Sequence, residues 1–404
     1  VIASLALWLM AWAGVFTGLY NLVPLPSVHD PLAVFQAVRA VLPPAAAYIA
    51  LLWAMATRSR FRFGTTTLGL LVGYAVLGLI ASVALSPDVA TSLYWGLAYL
   101  APLAVAWFVI ERPEPLPVLR AILRLNAAIV IGLLLTVLPE AVRFGLGTST
   151  RFEVYRMPFG LGEVRANGVG RYAVAVLIVA GVSLVTSASK KRWLWLPLAV
   201  PSLFVLMQTQ SRSALLGLAV AGMLFVLVRG VNLRFLVAGP VAAWAIWTSG
   251  VAWRARGAWS SLVFLTGREN TWQKGLAKIG ESPVFGWGFH ADRLLLDAEH
   301  MHNSYLHAAI QAGLPGALFF AAGVAVLWLF LWRGGVLRRI RAAAPADQAL
   351  LMQSVLLLGF LTARSFFEST AAFYGVDLLL FVPAVAYVYE WALENPEEGT
   401  EEAA

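Results

Sequence analysis

The chain has no cysteine among its 404 residues, so disulfides, thiolate metal sites and cysteine nucleophiles are excluded. Charge is scarce, with Asp, Glu, Lys and Arg together making up only 12% of the residues. There is no G-x-S-x-G elbow, no Walker-type glycine loop and no G-x-G-x-x-G, which removes the usual sequence support for hydrolase, ATPase and dinucleotide chemistry. No D-x-D pair of the kind that binds a metal and a nucleotide sugar occurs either. The formal charge of +8 does not point to nucleic acid, because no basic block with interleaved aromatics lies outside the apolar runs. Val1 falls inside an apolar run with no charged region before it, so neither a native start nor a cleavable signal is visible, and the natural N-terminus is expected upstream.

Apolar surface is what the chain does have. Sixty percent of the residues are hydrophobic, and they fall in runs that repeatedly approach the roughly 20 residues needed to cross a bilayer. Tryptophan and tyrosine recur near the ends of these runs, as at Trp8, Trp12, Tyr20, Tyr94, Trp95, Trp193 and Trp195, which suits side chains anchored at headgroup level. The expected architecture is an all-α integral membrane protein of about twelve transmembrane helices. Spans are expected near 2–22, 32–56, 67–85, 92–110, 116–138, 168–187, 193–209, 213–229, 234–250, 304–332, 348–366 and 371–391. This divides the chain into N-terminal helices (1–138), a first long loop (139–167), central helices (168–250), a large second loop (251–303), C-terminal helices (304–391) and an acidic tail (392–404). Lysine and arginine in the short loops concentrate at Arg58–Arg62, Arg112, Lys190–Arg192, Arg229–Arg234 and Arg333–Arg341. By the positive-inside rule those loops are cytoplasmic and both long loops are external.

The external loops nevertheless carry Arg143, Arg151, Arg156 and Arg165, then Arg254, Arg256, Arg268, Lys274, Lys278 and Arg293. Many of these cations have acidic neighbours to pair with. Arginine outnumbers lysine, which suits forked recognition of phosphate. "TQSRSALLGLAV" places Arg212 at an external helix mouth between Ser211 and Ser213, where a serine cap and free backbone N–H groups favour an anion. "LTGRENTWQKGLAKIGESP" (265–283) has a capping-box spacing at Thr266 and Glu269, a Gly280/Pro283 stop and an apolar stripe at Trp272, Leu276 and Ile279. It is expected as an amphipathic surface helix with Arg268 in its first turn.

A glycine-rich return, "SPVFGWGF", leads into "AEHMHNSYLHAAIQAGLPG", which holds His300, His302 and His307, three of the five histidines in the chain. His302 and Asn303 fall where the next helix starts. The positive helix end and nearby arginines favour neutral imidazole, the form a general base requires. Gly313, Pro315 and Gly316 predict a kink below it. The histidines lack the i, i+4 spacing of a helical zinc pair, so no metal and no other cofactor is expected. Arg364 and Glu368 have i, i+4 spacing and are expected to form a buried helical pair.

Together, "SRSALL", "TGRENTW", "PVFGWGF" and "HNSYLHAAIQAGLPG", backed by "RANGVGRYAVAVL" at 165–177, resemble the O-antigen ligase family, which also contains O-antigen polymerases and protein O-oligosaccharyltransferases. The resemblance implies a GT-C-type membrane glycosyltransferase at the periplasmic face of the bacterial inner membrane. Such an enzyme moves a glycan from undecaprenyl diphosphate to a sugar hydroxyl of the lipid A core by metal-independent inversion. On this chain it would make His302 the base and Arg212 and Arg268 the diphosphate holders. Charge and position add Arg156 and Arg165 as substrate contacts, and Asn303 and His300, beside the base, are expected to contact substrate as well. No residue separates ligase from polymerase or protein transferase. A flippase for an anionic lipid-linked substrate is the alternative from a different class, but it should show matching interrupted helices in both halves, whereas the special residues here gather in two loops and one helix.

Overall fold

The computed structural model describes residues 1–17, 22, 27–57, 66–144, 154–157, 162–187, 190–229 and 268–396. Asp30 starts the second helix by accepting from the N–H groups of Leu32 and Ala33, with Pro31 at the first helical position. Asp88 caps the fourth helix through Thr91 N–H. The first part of the bundle is α1 (Ile2–Ala13), α2 (Pro31–Ala56), α3 (Thr67–Ala84), α4 (Val89–Ile110) and α5 (Pro115–Arg143). A hairpin of β1 (Val154–Met157) and β2 (Gly162–Arg165) leads to α6 (Ala166–Thr186), α7 (Leu196–Thr209) and α8 (Arg212–Arg229). Beyond these come α9 (Arg268–Glu281), the short α10 (Ala291–Leu295), α11 (Ser304–Arg333), a single turn α12 (Val336–Arg339), α13 (Pro345–Ser365) and α14 (Val376–Glu394).

Among the described residues, nine helices are long and apolar enough to cross a membrane. The expected spans coincide with helices except 234–250, which lies outside the described residues along with Arg151, Arg254, Arg256 and Thr266. Three are corrected in extent. α1 has 12 residues and α7 has 14, both short of a full crossing. The last helix begins at Val376 rather than 371, because 366–375 is a non-helical segment. The first long loop also carries an antiparallel hairpin that a helical reading does not foresee, with Val154 opposite Arg165 and Arg156 opposite Glu163. Its period-two pattern buries Tyr155, Met157 and Val164 and exposes Arg156, Glu163 and Arg165.

Two polar clusters tie distant helices together inside the bundle. Asn126 on α5 accepts from the indole N–H groups of both Trp8 and Trp12 on α1 and donates to Leu379 O on α14. At the opposite end from the site, Arg120 forms a two-pronged contact with Asp347 at 2.7 and 3.0 Å, and Tyr387 donates to the same carboxylate. The starts of α5 and α13 therefore lie on one side of the bundle, as the alternation of spans requires.

Two irregular segments are buried at the other end, and neighbouring groups take up the backbone that each leaves open. Residues 366–375 receive Tyr99 OH at Ala371 O, Tyr74 OH at Ala372 O, and Ser304 OH at Glu368 O and Thr370 O. Within α11, Ala312 and Gly313 leave helical geometry, which confirms the expected kink. The freed carbonyls of Ile310 and Gln311 accept from Trp287 N–H and Gly288 N–H, each at 2.8 Å, and Leu314 N–H donates to Pro283 O at 2.7 Å. The glycine-rich return is thus stitched into the broken helix, which is how a membrane tolerates non-helical backbone. The return also reaches α3 and α4, where Phe289 N–H donates to Ser82 OH and Ser92 OH donates to Phe289 O.

Gly313 has φ 68°, and a Cβ there would lie 2.3 Å from Val284 O. Gly313→Ala is expected to destabilise the protein by about 1–3 kcal/mol through backbone strain and lost stitching. The measurement is thermal unfolding of the detergent-solubilised protein, with Gly132→Ala, where a Cβ meets open space, as the control.

Candidate functional site

The site grows from the start of α11. Asn303 caps this helix, its side-chain oxygen accepting from the N–H groups of Tyr305 and Leu306 at 3.0 Å each. Its amide donates to Phe366 O, so all of these contacts hold the helix start against 366–375. His302, one residue earlier, sits in the left-handed region at φ 48°, where residues other than glycine are uncommon and often functional. There its Nδ1 lies 2.9 Å from Glu368 Oε2, and about a third of the ring remains exposed (32%).

Glu368 gathers the remaining polar groups. Oε1 accepts from Arg268 at 2.9 Å and from Asn167 Nδ2 at 2.8 Å, and Arg268 donates a second bond to Phe367 O at 2.6 Å. Burial pushes the Glu368 carboxyl up, but the hydrogen bond from His302 and the charges of Arg364, His302 and Arg268 outweigh it and hold the group below its ordinary value. Burial also pushes His302 below its ordinary value, more strongly than the hydrogen bond and charge of Glu368 pull it up. An imidazole whose Nδ1–H is held by a carboxylate keeps its lone pair on Nε2, the atom that accepts a proton.

Arg364 does not pair with Glu368: the Glu368 N–H still closes a last turn onto Arg364 O at 2.9 Å, but its carboxylate is taken by His302, Arg268 and Asn167. Arg364 Nη1 instead meets Asp377 Oδ2 at 2.5 Å, and Arg171 Nη1 lies 3.3 Å from the other oxygen of that carboxylate. The two sub-networks touch through α6, since Arg364 also donates to Asn167 O. In these two sub-networks Arg171, Arg268 and Arg364 stand against Glu368 and Asp377. Glu368, Arg171, Asn167 and Asp377 receive no site role from the sequence. The signal that could find them is ionisable residues inside or beside apolar spans, which are functional by default.

Arg212 occupies the first turn of α8, where Ser211 OH accepts from Ala214 N–H at 3.4 Å. Gly170 lets this helix start approach α6, its missing Cβ position lying 3.0 Å from Ser211 Cβ. Arg212 is thereby brought to the α6 end that also carries Asn167 and Arg171. Arg268 is in the first turn of α9 as expected, but the buried stripe of that helix is Thr271, Gly275 and Ile279. Leu276 is 53% exposed, because Gly275 admits Met301 so closely that the helix is turned toward it. Arg156 and Arg165 share the exposed face of the hairpin, and Arg156, 83% exposed, pairs with Glu163 at 3.5 Å. The structure does not bring these two into the His302 cluster. His290 stacks on Trp95 with ring centroids 5.0 Å apart, and burial lowers it to about 4.

His300 turns away from Glu368. Its Nδ1 lies 2.8 Å from Asp292 Oδ2, and its ring meets His302 and His307 edge-on at 5.1 and 5.2 Å. Donor atoms of Asp292, His300 and His307 all fall within 4.8 Å of one another. Histidine spacing along a single helix cannot reveal this group, because its carboxylate comes from α10.

The stretch from α7 to just past the kink of α11 contains Arg212, Arg268, the glycine-rich return and every histidine of this cluster. Residues 197–321 match the family model of O-antigen ligase. No curated protein matches the chain. The matched segment supplies His302, Arg212 and Arg268, whereas Glu368, Arg364 and Asp377 come from beyond it. The match covers under a third of the chain.

Glu368→Gln removes the charge that Arg268 and His302 share while keeping its volume. It is expected to cost about 1–3 kcal/mol, the range for leaving buried polar partners unsatisfied. Denaturant titration followed by tryptophan fluorescence measures this, and Glu163→Gln on the exposed hairpin should be near neutral.

Proposed function

We propose that the protein is an O-antigen ligase, transferring a glycan from undecaprenyl diphosphate to a sugar hydroxyl of the lipid A core and completing lipopolysaccharide. The reaction takes place at the periplasmic face of the inner membrane, in a GT-C-type fold. The observation that carries this reading is the His302–Glu368 hydrogen bond at the entrance of α11, with Arg268 on the same carboxylate.

Displacing a lipid diphosphate from an anomeric carbon has two requirements. The attacking hydroxyl must lose its proton, and the leaving diphosphate must be stabilised as negative charge develops on it. His302 Nε2 takes the proton, and Glu368, bonded to Nδ1–H, stabilises the imidazolium that forms. Such general base catalysis typically contributes about 10²- to 10⁴-fold. Arg268 is fixed by Glu368 and Phe367 O and offers its remaining N–H groups to the diphosphate, joined by Arg212 at the start of α8. Fixed guanidinium groups do the electrostatic work that a hard divalent cation does elsewhere, so the transfer step is metal-independent. Attack opposite the leaving group inverts the anomeric centre. Arg156 and Arg165, on the open face of the hairpin, meet the glycan or lipid headgroups rather than the reacting atoms. Asn303 and His300 act by holding the segment on which His302 sits.

The test is glycan transfer in proteoliposomes with purified lipid-linked glycan and lipid A core, without added magnesium or manganese. His302→Ala is expected to lower the rate about 10²- to 10⁴-fold while donor binding stays within a few-fold of the parent. Full activity in that variant would falsify the role of the base. Replacing the acceptor by a second lipid-linked glycan, or by a serine- and threonine-containing peptide, separates ligase from polymerase and protein transferase. Transfer to either one in preference to the core overturns the acceptor assignment.

A further inference from the structure

Asp292 is the least expected group in the chain. It lies on α10, is 1% exposed, and its carboxylate has no lysine or arginine partner among the described residues. Arg293 beside it bonds to Ala298 O instead. Oδ2 accepts from Met301 N–H at 3.3 Å and meets His300 Nδ1. Oδ1 is buried with no hydrogen-bond partner and faces His307 Nε2 at 3.6 Å, beyond hydrogen-bonding distance. A buried carboxylate is ordinarily paired with a cation or bound to a metal.

One pair of donors is already spaced for the second arrangement, and the rest of the group lies close around it. Donors held about 2.0–2.1 Å from one tetrahedral ion lie about 3.3–3.4 Å from each other, close to the separation of Asp292 Oδ1 and His307 Nε2. Phe373 walls the cluster, stacked on His307 at 5.6 Å and edge-on to His300 at 5.2 Å. Gln311, one turn below His307, completes it. Tyr74 OH has a single proton, yet it lies within hydrogen-bonding distance of both Ala372 O and the Gln311 side chain. The bonding is consistent when Tyr74 donates to Ala372 O and accepts from the Gln311 NH₂ group. The amide oxygen of Gln311 then faces His307 Nε2, where the two side chains touch. Two imidazoles, one carboxylate and one amide oxygen make an N/O donor set suited to zinc and to the other borderline first-row divalent ions.

We propose that Asp292, His300 and His307, with Gln311 Oε1 as a fourth donor, bind one divalent first-row transition-metal ion, with zinc as the best match. The ion ties α10 and the 298–302 segment to the first turns of α11. It sits behind His302, holding the segment that carries this residue, and takes no part in the transfer. This inference does not depend on the acceptor or on His302 being the base, because its readout is metal and not activity.

The experiment uses the full chain purified in detergent, stripped with chelator, incubated with zinc, desalted and assayed by elemental mass spectrometry. About one equivalent of zinc is expected, and cobalt(II) in its place should give visible absorption bands of a four- or five-coordinate N/O site. Asp292→Asn and His307→Gln should each lose most of the bound metal, whereas His29→Gln, at an exposed position, should keep it. Uptake well below one equivalent by the parent protein overturns the proposal, and so does unchanged stoichiometry in both site variants. The cobalt spectrum of the parent tests the site even if a variant fails to fold, since absence of those bands also rejects it.

Discussion

Everything at the site end of the bundle depends on where one carboxylate is held. Glu368 receives His302, Arg268 and Asn167, which come from three separate elements, and it is 8% exposed in doing so. Burying a carboxylate is costly unless it is hydrogen-bonded and paired, so once 366–375 is folded inward its neighbours are strongly constrained. α6, α9 and the start of α11 each have to present a donor. The segment itself is held by hydroxyls of Tyr74, Tyr99 and Ser304, which makes the non-helical backbone tolerable inside an apolar bundle.

Much of the helical framework is legible in the sequence because a bilayer imposes a length and a composition that leave a strong mark. The kink is legible for a related reason, since Gly313 can take a positive φ and Pro315 close behind it has no backbone N–H to give, a combination that isolated prolines in the other helices lack. Less legible is anything decided by where a helix stops within an apolar stretch. Residues 366–375 contain enough hydrophobic side chains to pass as helix. Their departure from it transfers Arg364 to Asp377 and releases Glu368 to His302. The short hairpin leaves no mark because four-residue strands give too little alternation to stand out.

Of the candidate residues, His302, Asn303 and His300 fall together because they are adjacent in the chain and the helix start orients them. Arg268 joins them only through tertiary contact, and its partner lies 100 residues away. Arg156 and Arg165 stand out by charge and by lying in a long loop between apolar runs, but neither property says which face of a hairpin a side chain takes. Asp292 is hidden for the opposite reason. Nothing local distinguishes it from a surface acid in "FHADRLLLDAE", and only its burial beside two histidines gives it meaning.

The stitching of the glycine-rich return into the broken helix has a consequence for biogenesis. Residues 283–289 are synthesised after α3 and α4 but before α11, and they bond to all three helices. As each new helix leaves the translocon, the return has its Ser82 and Ser92 partners already in the membrane while its Ile310, Gln311 and Leu314 partners do not yet exist. The bonds to Ser82 and Ser92 can therefore be made before those to α11, which have to wait for that helix. In the finished fold this short stretch joins helices made early in synthesis to one made late.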